Sequence, residues 1–389
     1  MTRETRVPIT PEVLRWAIEQ SGLDLEAVAT AAGVESELLN RWLTGRDRPT
    51  LTQARRTAAK LGRALAVLLL PAVPDMPLPD VKFRRLPGSD RRTLNPDERR
   101  ALRQAVRVQR IVSWALAESG SEQPRIPRYS LDSNPESAAN AVRRALAIPD
   151  EVRLAWRSPA QALAGWRTAM EERGVLVFLQ SLGAGSCRGF SVWDDRAPLV
   201  LANTEWNPAA RLFTILHELG HLITRTSSAC MPSPTGPSPG ASDATERWCE
   251  EFAAALLLPA DEVQRFLEEE IGWVPGQTIS DLKPVARLAR RHNASLRATA
   301  IRLIKSRVAE PGIYAAIPAR SDQKPSGGGG APRRRYEVRR DQLGLRPVRV
   351  LVNAIGSGTL MTSDVLRYLD IGRSDLDSLA REIPVFGHT

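Results

Sequence analysis

Two histidines four residues apart, His217 and His221, with Glu218 next to the first, are the side chains here whose types and spacing best suit chemistry. On a helix, residues i and i+4 stand one above the other on a single face. Two imidazoles so placed can occupy two corners of a tetrahedral metal ion. Glu218, offset by one residue, projects beside that ion, where a carboxylate can take a proton from water. The chain carries 4 His in all, so this pentapeptide holds half of them. Phe213, Leu216, Leu222 and Ile223 predict a buried helix over Arg211 to Ile223, and Gly220 leaves room for a neighbouring backbone. The plainer alternative is a core helix whose two histidines are satisfied by hydrogen bonds.

A site of this kind needs a third ligand, and no further His lies nearby. The stretch Asp243 to Pro259 predicts a helix in which Glu246 shares a stripe with Cys249, Ala253 and Leu256. That stripe turns the Glu246 carboxylate inward and favours it as the third ligand. Glu250, one turn along, is the rival, and Asp243-x-x-Glu246 also reads as a capping box with a purely structural role. Ligand type points to Zn2+, with Mn2+ or another divalent ion open. Cys230, in the Pro/Ser/Gly-rich loop that should overhang the site, has no partner at ligand spacing and reads as incidental. His292 reads as an exposed turn residue.

The elements that must position these groups follow from periodicity. Three short buried strands, 174–179, 189–193 and 198–202, precede the histidine helix and predict a small sheet. Such a sheet usually leaves an edge to which an extended peptide can add. Helices are predicted over 96–118, 138–146 and 160–173, and a pair of short helices over 282–303. The fold class is α+β, mostly α.

With 389 residues the chain can build two or three cores, and 25% charged with 42% apolar residues excludes a disordered protein. Three Cys in no paired pattern argue against a disulfide scaffold. The apolar run 64–70 is too short to span a membrane, and the N-terminus has no signal-peptide pattern. These features together predict a cytoplasmic protein with no membrane partner. The net charge of +10 is uneven. Lys82, Arg84, Arg85, Arg91, Arg92, Arg99, Arg100, Arg103, Arg107 and Arg110 face only Asp90, Asp97 and Glu98. That concentration suits a phosphate backbone, an acidic partner or a solvated Arg-rich helix.

Residues 8–70 predict five short helices broken at Gly22, Gly33 and Gly45. Two of them meet at Ala-Gly33-Val, with Gly-Arg-Asp-Arg-Pro49 downstream, and this pattern resembles the helix-turn-helix of the XRE repressor family. The resemblance implies DNA contacts from the third helix by Ser36, Asn40 and Arg41, with Arg46 and Arg48 on phosphates. Glu35 and Glu37 oppose a polyanion there. Operator reading, nonspecific DNA binding and capture of a protein partner therefore all stay open for this module.

The segments GFSVWDDRAPLVLAN (189–203), RLFTILHELGHLI (211–223) and ERWCEEFAAALLLP (246–259) together resemble the ImmA/IrrE family of metallo-endopeptidases, in its form fused to a helix-turn-helix. The likeness covers roughly residues 10–310. It implies a zincin-like peptidase with Zn2+ held by His217, His221 and Glu246 and with Glu218 as general base. It also implies a protein substrate, since members cleave helix-turn-helix repressors. Members commonly carry Asn four residues after the ligand Glu, where this chain has Glu250. The expected domains are the helix-turn-helix (8–74), a basic helical connector (75–135), the peptidase (136–310), a flexible linker (311–335) and a small helical C-terminal module (336–389). The oligomeric state is not legible. The competing reading is a DNA-binding regulator whose metal site is structural or sensory, without proteolysis.

Overall fold

The N-terminal helices start and stop where local chemistry says they must. In the computed structural model, which describes residues 5–75, 82–83, 94–121, 123–183, 185–225, 228–230, 244–323 and 333–382, Pro11 opens α1 (Pro11–Ser21). The Asp24 carboxylate caps α2 (Leu25–Ala32), which stops at Gly33 with φ +72°. Then come α3 (Ser36–Leu43), α4 (Leu51–Lys60), opened by a Thr50/Gln53 capping box, and α5 (Leu65–Leu68). Leu14, Val28, Leu39, Trp42, Leu61 and Leu68 form their common core. Residues 1–79 and 92–104 make up one compact unit, and 80–91 with 105–389 the other.

The basic stretch is used within the first unit in a way its composition did not announce. At the start of α6 (Pro96–Glu118), Arg99 donates to the Glu19 carbonyl and Arg100 to that of Lys60. Arg103 donates to the carbonyls of Gln20 and Leu61. These acceptors lie at the C-terminal ends of α1 and α4, where carbonyls lack intrahelical partners. Three of the ten bases therefore cap helices instead of forming a solvated face. Arg84, Arg85, Arg91 and Arg92 lie outside the described residues.

The second unit includes β1 (Lys82–Phe83) and the later part of α6. There Gln109 donates to the carbonyls of Val192 and Ala197, and Ser113 to Asp194, pinning one turn of the sheet. It continues through α7 (Pro135–Ala145), α8 (Asp150–Ala155), α9 (Pro159–Glu172), β2 (Leu176–Gln180), β3 (Gly189–Val192) and β4 (Leu199–Asn203). Next come α10 (Pro208–Ile223), β5 (Ser228–Cys230), α11 (Ala244–Leu257) and α12 (Ala260–Phe266), the last running into a π-helical turn over Leu267–Ile271. α13 (Leu282–Arg291), α14 (Leu296–Lys305) and α15 (Gly312–Ala316) follow. The chain ends in α16 (Arg335–Leu343), α17 (Leu345–Gly356), α18 (Thr362–Leu369) and α19 (Arg373–Glu382).

Among the described residues the sheet has five strands where three were expected, in the order β1-β5-β3-β4-β2. β2 runs parallel to β4, β3 antiparallel to β4 and β5, and β1 parallel to β5. The added strands are two and three residues long, too short to show a period in sequence. The edges are β1 and β2, and β2 packs beside α16. One face of the sheet, through Val177, Val200 and Ala202, shares a core with Leu212, Ile215 and Leu219 of α10.

Two expectations change outside the site. His292 is buried, not exposed: its ring lies against Arg153, with which Glu262 makes an ion pair. Within the stretch expected as a linker, Asp322 is buried, takes an ion pair from Arg188 and accepts the Asn207 amide through its carbonyl.

Candidate metal centre

Helix α10 carries the motif. Pro208 sits in its first turn and the Asn207 side chain accepts from the Ala210 amide, so the helix begins one turn before the expected stretch. The neighbouring α11 is held close by a missing side chain. A Cβ built on Gly220 would stand 3.1 Å from Cys249 Sγ and 3.2 Å from Cys249 Cα. Glu246, one turn before Cys249, is thereby brought onto the histidine face of α10.

The result is a compact buried triad. His217 Nε2 and His221 Nε2 lie 3.2 Å apart, and each is 3.3 Å from one oxygen of the Glu246 carboxylate, which straddles both rings. Among the described residues this is the grouping of His, Cys, Asp or Glu that could hold a metal ion. A tetrahedron with ligand bonds of about 2.0 Å has edges of about 3.3 Å, so the donor spacings are of the size such an ion needs. Glu246 Oε2 is buried without a well-aligned hydrogen bond, a deficit that a cation would satisfy.

The electrostatics are those of a charge-dense, dry site. Burial would raise the Glu246 pKa, but hydrogen bonds and charge from His217 and His221 outweigh it and hold the carboxylate ionised, well below its usual range. Burial would lower the His221 imidazole; Cys249 and Glu246 beside it more than offset this and raise it to about 10. Glu218, fully buried next to the triad, is pushed up by burial, against the pull of His221, His217 and the Ser191 hydroxyl. Phe213 stacks on His217 with ring centroids 6.4 Å apart.

The chemistry-bearing residues picked out in sequence thus fall into two places. His217, His221 and Glu246 converge, with Glu218 beside them, while Glu250 is half-buried and outside the triad. Asp243, the other half of the suggested capping box, lies outside the described residues, as does most of the loop expected to overhang the site; the part of it at Ser228–Cys230, with Cys230, is instead strand β5, paired with β3. Ser36, Asn40 and Arg41 are exposed on α3, alongside Glu35 and Glu37, and Arg46 and Arg48 are exposed in the loop that follows. Arg41 pairs with Asp47 at 3.8 Å, and the Arg48 amide donates to the same carboxylate. Two residues at the metal centre were missed as participants: Ser191, which reads in sequence as strand filler, and Cys249, which reads only as a member of an inward stripe.

Residues 170–304, about a third of the chain, match the family model of the IrrE N-terminal-like domain, peptidase family M78. The match runs from the end of α9 into α14 and contains the whole triad. It indicates a metallopeptidase domain of the ImmA/IrrE kind. No curated protein matches the chain.

Proposed function

We propose that this protein is a zinc-dependent endopeptidase that cleaves a partner protein, a helix-turn-helix repressor, and so regulates transcription in the cytoplasm. One observation carries the reading: a non-ligand carboxylate, Glu218, is buried directly beside a His-His-Glu triad. A purely structural ion has no use for a base, and burying a carboxylate is costly.

A Zn2+ ion held by His217, His221 and Glu246 would supply Lewis acidity and bring the pKa of water to about 7. Glu218 takes the proton of the attacking water and delivers it to the departing amine. Its upward shift suits both halves of that task, since a much stronger acid would hold the proton too weakly to take it up. The ionised Glu246 keeps negative charge on the triad, and Phe213 fixes the His217 ring. With Mn2+ or another divalent ion, the same residues keep the same roles.

Purified full-length protein, metal-loaded, should cut candidate repressors at defined bonds. Glu218→Gln should retain the metal and lose turnover by a factor on the order of a thousand or more. Turnover by that variant close to the unaltered protein would remove Glu218 from the mechanism.

A second reading, a DNA-binding regulator with a structural or sensory metal, is favoured by one feature: the exposed polar face of α3, with Ser36, Asn40 and Arg41 and the nearby Arg46 and Arg48. Operator reading predicts binding that weakens with salt and discriminates sequence through Asn40. Sequence-independent binding, or none, leaves the module as a holder for a protein partner. Among the described residues no helix is long and apolar enough to cross a membrane.

A further inference from the structure

We propose that Arg225, stacked on Trp193 at the end of the metal-bearing helix, forms a subsite for an acidic side chain of the protein substrate. This subsite presupposes the metallopeptidase reading above. Strand β3 lies along α10. A Cβ on Gly189 would stand 2.6 Å from Thr214 Cγ2, and the centre of the Trp193 ring, just past the strand, lies 3.5 Å from the Arg225 guanidinium. His217 and His221 stand on α10 between those two contacts. The Arg225–Trp193 pair is therefore where strand and helix meet beyond the His221 end of the triad. Arg225 comes one turn after His221, about 6 Å along the helix axis, and an extended peptide covers that in about two residues.

The guanidinium is held in place but not neutralised. Its carbon sits over the indole, and Nη1 donates to the Leu222 carbonyl at 3.0 Å, at the C-terminal end of α10. Among the described residues no carboxylate is ion-paired with Arg225, and Leu222 is the only acceptor of its side chain. Asp195 is the acid whose charge acts on it, and that carboxylate accepts instead from Trp193 Nε1 at 3.0 Å. A second cation offsets Asp195. The Tyr129 amide donates to the Ile223 carbonyl at 2.9 Å, which brings the neighbouring Arg128 to the same end of α10.

Two guanidiniums against one carboxylate leave this corner net positive. Arg225 is half-buried, and its remaining N–H groups keep the fork that grips a carboxylate by two parallel bonds. Stacking on Trp193 fixes that fork in advance, so less freedom is lost when an acid binds. Capping α10 does not by itself call for arginine here. The residue sits at φ +58°, in the left-handed region where glycine ends a helix without strain. A substrate Asp or Glu about two residues from the cut bond would supply the missing counter-charge.

The test uses the full chain loaded with Zn2+ and a mixture of peptides randomised in sequence, amidated at the C-terminus so that every carboxylate is a side chain. The preferred sequence is then made in pairs, with Glu or Gln at each position around the cut bond. One position, about two residues from that bond, should favour Glu about tenfold in kcat/KM. Arg225→Gly, which the positive φ accommodates, should bring that ratio to about one, and Arg225→Lys should keep part of it. A ratio near one in the unaltered protein would overturn the subsite. So would a ratio that survives in Arg225→Gly while both peptides are cut more slowly, the result expected of a helix cap and nothing more. Cleavage of no peptide, or cleavage that persists in Glu218→Gln, would instead defeat the metallopeptidase reading on which the subsite stands.

Discussion

His292 shows how one buried side chain ties pH to stability. Burial, with Arg153 and Arg291 nearby, lowers its imidazole to about 3, while the ordinary value is 6.5. Nδ1 faces the Arg153 guanidinium, which disfavours a charged ring; the Leu257 backbone pulls the other way, Glu262 lies 3.9 Å off, and burial with Arg153 outweighs the pull. Between those two pH values the unfolded chain binds a proton that the folded chain refuses. The stability His292 contributes is therefore whole above pH 6.5 and is lost as pH falls toward 3. His292→Gln should flatten that part of the stability profile, measured as urea midpoints across the window. An unchanged slope would show that the ring is not held neutral. The burial of His292 was not legible in sequence, where it sits at a helix junction among polar residues. What buries it comes from Arg153 and Glu262, both distant in the chain.

The pair α10 and α11 owes its spacing to Gly220. An added Cβ would press on the backbone and side chain of Cys249, and a branched one more so. Gly220→Val should lower metal affinity at least about tenfold and destabilise the fold by about 1–3 kcal/mol. Chelator competition and thermal melts would measure the two effects. An unaltered metal affinity would mean that the close approach does not set the position of Glu246. The close approach at Gly220 was legible, because glycine in an otherwise apolar buried helix has few other uses. The histidine spacing was legible too, since i and i+4 is a local rule that needs no knowledge of the fold. Ser191 was not, because its meaning depends on strand register against a helix more than twenty residues away. The capping by Arg99, Arg100 and Arg103 was hidden for a related reason: its acceptors are backbone carbonyls, which leave no mark on residue type.

A polar clasp helps hold the C-terminal helices within the second unit. The buried Glu171 carboxylate accepts the amides of Leu345 and Arg346 at 3.0 and 3.3 Å and pairs with Arg167. Arg167 in turn donates to the Asp341 carbonyl at 2.7 Å. Gly344 makes this possible: at φ +80°, a Cβ there would fall 1.9 Å from Glu171 Oε1. Glu171→Ala would leave Arg167 without its carboxylate and two helix-start amides without an acceptor, at a cost of about 3–5 kcal/mol. Faster hydrogen exchange confined to 335–382 and the adjoining α9 is expected. Uniform acceleration across 105–323 would show instead that the clasp supports the whole unit. Helix α16 opens the expected helical C-terminal module and lacks an apolar stripe. Ion pairs from Arg335 and Arg339 to Asp370 and from Arg340 to Glu382 supplement the burial of its Leu343.

The most direct measurement is the metal content and coordination of the purified full-length protein, by elemental analysis and X-ray absorption after reconstitution with Zn2+. The account predicts one ion per chain with two imidazole nitrogens and carboxylate oxygen at about 2.0–2.2 Å. It further predicts loss of that ion in His217→Ala, His221→Ala and Glu246→Ala, and its retention in Glu218→Gln. A protein that takes up no ion, or that keeps it equally well without Glu246, would contradict the central claim.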